Sequence, residues 1–323
     1  MKFLNIQAAR GIAALLVLTA HLAGLGLTTP NVAGFSFPHG VVGVDIFFVL
    51  SGFIMAYTTQ KNWGSVGAFL GRRVWRIFPL YWGCTLLAVG LLPWIYAKAA
   101  DMGPADLAAG LVLLPGSQPL ISLAWTLIYE MYFYLIMAGL MLFPRAHITL
   151  RVTGVFAAIG IASTMILPDG VLKAQLTNTI VLEFALGTLL FECWNAQWLR
   201  LRWLIPAFAA SSVIAMFAYP DGQWRFLTFG GFAWLGLAIA LRAEAKGIVA
   251  PQWLVFVGTA SYAIYLTHMI ALERLMGYPM AYGLHPIAGF LAMALGAVAL
   301  GVAVHLIIER PLLGVRSIIR APA

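Results

Sequence analysis

Apolar residues fall along this chain in long unbroken blocks, not in strand-like alternation or narrow helical stripes. Ten blocks can be drawn, at about 8–27, 40–59, 75–97, 122–143, 149–167, 176–193, 203–219, 225–241, 253–272 and 286–308. A helix needs about 20 apolar residues to cross a hydrocarbon layer of about 30 Å, and most blocks meet that length. The pattern predicts an all-α integral membrane protein, a bundle of about ten transmembrane helices. Residues 101–120 break the pattern. Pro104, Pro115, Gly116 and Pro119 interrupt an apolar run too short to span, which predicts an interfacial or re-entrant piece.

Charge placement gives this layout an orientation. Only 9% of the 323 residues are charged, against about 25% in a soluble domain. Of the 19 lysines and arginines, all but Lys98, Lys173, Arg225 and Arg274 fall on one side when the spans alternate. The positive-inside rule makes that side cytoplasmic and predicts both termini there. The net charge of +8 is then a topology signal, and no basic–aromatic groove argues for nucleic acid. A cleaved leader over 1–27 is disfavoured, because the later spans need an anchored start. Cys84 and Cys193 are isolated within apolar runs, with neither disulfide nor metal-ligand spacing. No linker, internal repeat or low-complexity segment is visible, so residues 1–323 are expected to be one polytopic membrane domain without a fused soluble one.

Against so apolar a background, ionisable residues inside the spans become informative, because each is costly in lipid and usually functional. Arg10 and His21 share the first span, eleven positions apart. At about 100° per residue they return to one helix face, about 16 Å apart along the axis. With Arg10 at the membrane surface, His21 would lie near the bilayer midplane. Asp45 opens the second span and needs a partner; His21, at similar depth, is the expected one. Ser51 and Gly52 near the middle of that span read as a close helix contact. Arg72, Arg73 and Arg76 precede the third span, more cations than orientation requires, and guanidinium forks suit phosphate oxygens. Glu130 lies about 12 Å into the fourth span and is expected to join the buried polar cluster. Glu183 has no evident partner. His268 reads as a hydrogen-bonded structural residue. Pro311 is expected to end the last helix, with Glu309 pairing a cytoplasmic arginine.

These residues together resemble the acyltransferase-3 family of membrane O-acyltransferases, over most of the chain. Four stretches carry the resemblance: Arg10 with His21; Gly43-Val44-Asp45 with Phe47-Phe48 and Ser51-Gly52-Phe53; Arg72-Arg73 with Arg76 and Pro79; and Trp125-Thr126-Leu127 with Glu130 and Phe133-Tyr134. Ser261-Tyr262, Tyr265-Leu266, His268 and Glu309-Arg310-Pro311 are similar to its C-terminal signatures. The chain departs from the family at Tyr129, where many members carry a second acid, and it lacks the extracellular esterase-like domain of some members.

The resemblance implies transfer of an acyl group, most often acetyl from acetyl-CoA, to a hydroxyl of a carbohydrate or cell-surface glycan precursor, such as a lipid-linked saccharide. It also implies the bacterial inner membrane as the location. The residues fit that chemistry. His21 suits a general base, with Asp45 or Glu130 as its supporting carboxylate. Arg10, Arg72, Arg73 and Arg76 suit the phosphates of acetyl-CoA or another acyl-CoA, and no metal is needed. A covalent acyl-histidine is the mechanistic alternative. A small non-carbohydrate metabolite is the alternative acceptor. A proton-coupled transporter is the competing class, since buried Asp, Glu and His also build proton paths. The lack of a repeat counts against it.

Overall fold

The computed structural model describes residues 3–26, 37–60, 63–218 and 224–319, and among these every regular element is helical. Of the basic residues that set the orientation, Lys2, Lys61 and Arg320 lie outside the described residues. The helices are α1 (Leu4–Gly26), α2 (Val42–Thr59), α3 (Val66–Leu91), α4 (Pro93–Asp101), α5 (Pro104–Leu111), α6 (Trp125–Leu140), α7 (Ile148–Ile166) and α8 (Val171–Thr177). They continue with α9 (Leu182–Asn195), α10 (Leu201–Phe217), α11 (Arg225–Ala245), α12 (Gln252–Leu275), α13 (Tyr278–Ala281), α14 (Pro286–Val304) and α15 (Arg310–Ile319).

Each of the ten apolar blocks is mainly helical over its described residues. Among the described residues eight helical segments are long and apolar enough to cross a membrane, and α8 with Thr179–Asn195 makes a ninth, bent by 40°. α10 is apolar but shorter. Large apolar side chains point outward, such as Met165 at 80% and Phe217 at 82% exposure, as a lipid-facing surface requires. The chain is a multi-pass membrane protein.

Two boundaries differ from the sequence reading. The third span starts at Val66, not near residue 75, so Arg72, Arg73 and Arg76 lie within α3. The helix tolerates them because they are half-buried, and the Arg73 guanidinium sits 5.6 Å from the Phe69 ring and 5.7 Å from the Tyr134 ring. The helix ends at Leu91, since Leu92 is extended ahead of Pro93. The other difference is at Pro311, which does not stop the last helix. A π-helical turn at His305–Glu309 precedes it, leaving Pro311 in the first turn of α15, where a missing N–H costs nothing. Glu309 pairs within that turn, its Oε2 lying 2.7 Å from His305 Nδ1.

Small residues set how closely the helices cross. α1 runs beside α12, and α2 beside α9. A Cβ on Gly258 would overlap the Gln7 carbonyl, and one on Gly11 would meet the Gly258 backbone. In the same way Gly52 and Gly187 bring α2 and α9 into backbone contact. At the arginine-rich end, Glu244 from the end of α11 accepts hydrogen bonds from the backbone N–H groups of Leu4 and Asn5, at 3.0 and 2.8 Å. These are orphan donors of the first turn of α1, satisfied by a carboxylate favourable to the helix dipole.

Gly258→Val and Gly187→Val are expected to abolish monodisperse folded protein in detergent chromatography, because a side chain there must force the crossing helices away from each other. Gly71→Val, where an added Cβ meets nothing within 4 Å, should retain it. Normal yield of either crossing variant would contradict these contacts.

Candidate active site

The site is built around α2, whose two faces carry different chemistry. Val44, Phe47, Ser51, Met55 and Thr58 recur at helical spacing and line an internal cavity of about 360 Å³. From Thr58 to Val44 this cavity follows α2 for about 21 Å, at about 1.5 Å per residue. Its other walls are Gln7 and Arg10 of α1, Arg73 and Arg76 of α3, Thr126, Glu130 and Tyr134 of α6, and Tyr262 and Tyr265 of α12. Three guanidinium groups therefore face one carboxylate across a space of small-molecule size.

Glu130 is held in place by two hydroxyls. Ser51 Oγ donates to its Oε1 at 3.1 Å, and the Tyr134 hydroxyl, one turn away on α6, donates to the same oxygen. Arg10 lies about two turns inside α1, deeper than the surface position expected, and its Nε donates to Ser261 Oγ at 3.3 Å. Arg72 is half-buried and is not among the cavity-lining residues.

His21 lies beyond the far end of this cavity, in the last third of α1 and not at its middle. Its ring packs against His268, with centroids 5.1 Å apart and His21 Nδ1 lying 3.4 Å from His268 Nε2. Arg10 and His21 do share a face, the one turned to α12: their partners Ser261 and His268 are seven residues apart. Carbonyl contacts orient both rings. His21 Nδ1 is 2.9 Å from the Val17 carbonyl oxygen, and His268 Nδ1 is 2.7 Å from that of Tyr265. A carbonyl only accepts, so each Nδ1 carries a proton. His21 Nε2 is left with a lone pair, and His268 Nε2 is an acceptor facing the His21 N–H. Among the described residues no carboxylate hydrogen-bonds His21.

Asp45 is elsewhere, and the expected Asp45–His21 pairing is corrected here. It projects from the opposite face of α2, the one that also carries Gly52, and is fully buried. Arg225, the first residue of α11, grips it with two hydrogen bonds: Nε to Oδ1 at 2.9 Å and Nη2 to Oδ2 at 2.8 Å. Glu183 of α9 is buried against Asp45 without a donor of its own among the described residues. The physical reason is geometric. A carboxylate on the α9 face of α2 cannot reach a histidine on the α12 face of α1, but it does meet the arginine that opens α11.

The sequence places Arg225 among the few basic residues of the outer side and reads His268 as a structural residue. A signal existed for the first: arginines are scarce on that side, so each invites a search for an acid. For His268 the signal was its spacing. It stands seven residues after Ser261, which returns it to nearly the same helix face, as the eleven-residue spacing of Arg10 and His21 does on α1.

Removing one partner of a buried ion pair leaves an uncompensated charge, at a cost of about 3–5 kcal/mol. Arg225→Gln should therefore lower the thermal unfolding temperature sharply. The double variant Asp45→Asn with Arg225→Gln should recover much of the loss. Equal unfolding temperatures for wild type and Arg225→Gln would show that the pair carries no weight.

Comparison with known proteins agrees with this architecture. The family model for an acyltransferase domain matches residues 3–306. The exopolysaccharide production protein ExoZ of Rhizobium meliloti (strain 1021) is 31% identical over 299 residues, covering 87% of this chain and 92% of its own length. The acyltransferase MdmB of Streptomyces mycarofaciens is 28% identical over 361 residues, covering 95% and 90% respectively. No solved structure matches. With the family model spanning almost the whole helical bundle, the chain belongs to the acyltransferase-3 family and is a membrane O-acyltransferase.

Proposed function

We propose that the acyl donor is an acyl-CoA held in the arginine-lined cavity, and that His21 is the general base that activates the acceptor hydroxyl. The observation that carries this reading is the cavity itself: three arginines along it, and the His21–His268 pair one helical turn past Tyr265 at its far end. Coenzyme A is a polyanion on a long neutral arm. Arg73 and Arg76 suit its phosphates, and Arg10 lies further along the path of the arm. Arg72 lines no part of this cavity, so its share in the donor site is confined to the entrance. By the positive-inside rule this mouth faces the cytoplasm of a bacterial inner membrane, where CoA is available.

In the transfer step the acceptor O–H gives its proton to His21 Nε2 as its oxygen bonds to the thioester carbonyl carbon. The C–S bond then breaks, and the proton passes from the imidazolium to the departing thiolate. His268 Nε2 accepts from the His21 N–H throughout. The Val17 carbonyl shares that N–H and fixes the tautomer, while His268 steadies the imidazolium, a task that a carboxylate performs in serine hydrolases. Glu130, fixed by Ser51 and Tyr134, keeps Arg10 and Arg73 compensated before the donor arrives. Asp45 supports the site at one remove, by anchoring α2 to α11.

ExoZ's name records exopolysaccharide production, and that supports a carbohydrate hydroxyl on a cell-surface glycan precursor as the acceptor. MdmB's name records only an acyltransferase.

His21→Ala is expected to lower transfer from labelled acetyl-CoA by about 100-fold or more, with folded protein retained. Arg73→Ala with Arg76→Ala should raise the KM for acyl-CoA more than it lowers kcat, if the lost contact is uniform binding. Lysine at either position should restore part of it. Normal turnover by a folded His21→Ala protein would rule out the base assignment, and an unchanged KM in the double arginine variant would rule out the donor site.

A further inference from the structure

The far end of the cavity is built differently from the rest. Near the arginine-rich mouth its walls are charged, and at mid-depth they carry Ser51, Glu130 and Tyr134. At the end two aromatic rings close it. Phe47 and Tyr265 meet edge to face with centroids 5.9 Å apart. Tyr265 is held at both ends. Its hydroxyl lies 3.0 Å from Thr126 Oγ1 and 3.2 Å from the Leu123 carbonyl oxygen, while its own carbonyl accepts from His268 Nδ1 at 2.7 Å. The Tyr265 ring is only 6% exposed and stands 5.8 Å from the His268 ring. This wall is thus a pinned surface at the junction between the cavity and the histidine pair.

We propose that Phe47 and Tyr265 are the residues that set acyl-chain length, limiting the donor to a short acyl group. The inference rests on the acyl-CoA reading above. With the phosphates at the arginines, the acyl end of the arm is directed to this junction, where Tyr265 borders the His268 ring. The acyl substituent then shares the junction with the hydrogen-bonded Tyr265 ring and with Phe47 packed edge to face against it. Extra methylenes meet filled space, and an apolar pocket of fixed shape discriminates by about 10–200-fold per methylene misfit. A phenylalanine or tyrosine at such a wall excludes chain length without touching the CoA moiety. Selection for length is therefore separable from affinity for CoA itself.

The test is binding of CoA and of acetyl-, butyryl-, hexanoyl- and octanoyl-CoA to the purified full chain in detergent, by calorimetry, with transfer measured alongside. Wild type should hold CoA and acetyl-CoA alike and lose about 10-fold or more by butyryl-CoA. Phe47→Ala should bring butyryl- and hexanoyl-CoA to near the affinity of acetyl-CoA, each taken relative to CoA on the same variant. Phe47→Leu, a smaller change, should shift the limit less. Tyr265→Phe keeps the ring but removes the hydroxyl contacts that pin it, and should relax the limit less than Phe47→Ala does. Wild-type affinity independent of chain length, or an unchanged length profile in both Phe47 variants, would overturn the proposal. Absence of CoA binding by the wild type would instead overturn the donor reading, and this inference with it.

Discussion

A charge inside a bilayer has to find its partner within the protein, and that constraint organises the bundle. α2 shows how. One of its faces buries Asp45, which Arg225 neutralises through a two-pronged contact that ties α2 to α11. Seven residues further along, that face carries Gly52, where α9 approaches to backbone contact. The opposite face is thereby held at a fixed distance from α6 and α12, and the space between becomes the cavity. The ion pair and the glycine crossing do no chemistry in this account. They keep a wall still while a ligand enters beside it.

The cavity itself holds an unequal charge count, with Arg10, Arg73 and Arg76 against Glu130. Such an imbalance is expensive in a low-dielectric interior unless the surplus is relieved. Some of the relief is local: Arg10 donates to Ser261, and Arg73 lies over Phe69 and Tyr134. On the proposed donor reading an anionic acyl-CoA supplies the rest on binding, so the same imbalance that costs stability without a donor favours its capture. His21 and His268 lie apart from this field, with both rings oriented by backbone carbonyls. The cavity and the histidine pair thus adjoin at Tyr265, whose ring borders Phe47 on one side and His268 on the other.

The helical blocks were legible because a membrane span needs only length and apolarity. The shared face of Arg10 and His21 followed from helix periodicity alone, and both meet α12. The depth of those residues did not follow, since the apolar block begins later than the helix, which starts at Leu4. For α3 the same effect hid two turns of helix behind its arginines. The partner of Asp45 was not legible either. Periodicity places residues on faces of one helix, whereas choosing between His21 and Arg225 requires knowing which helix lies against each face. His268 was underread for the same reason, because a lone histidine gains meaning only from the ring it touches.

Sidedness tests the central claim most directly, that the donor enters at the arginine-rich end and meets His21 from within. Sealed vesicles of known orientation, carrying native acceptor, would be offered labelled acetyl-CoA on one face at a time. Acceptor labelling is expected when the donor is on the face that bears Arg73 and Arg76. Labelling only from the opposite face would contradict it.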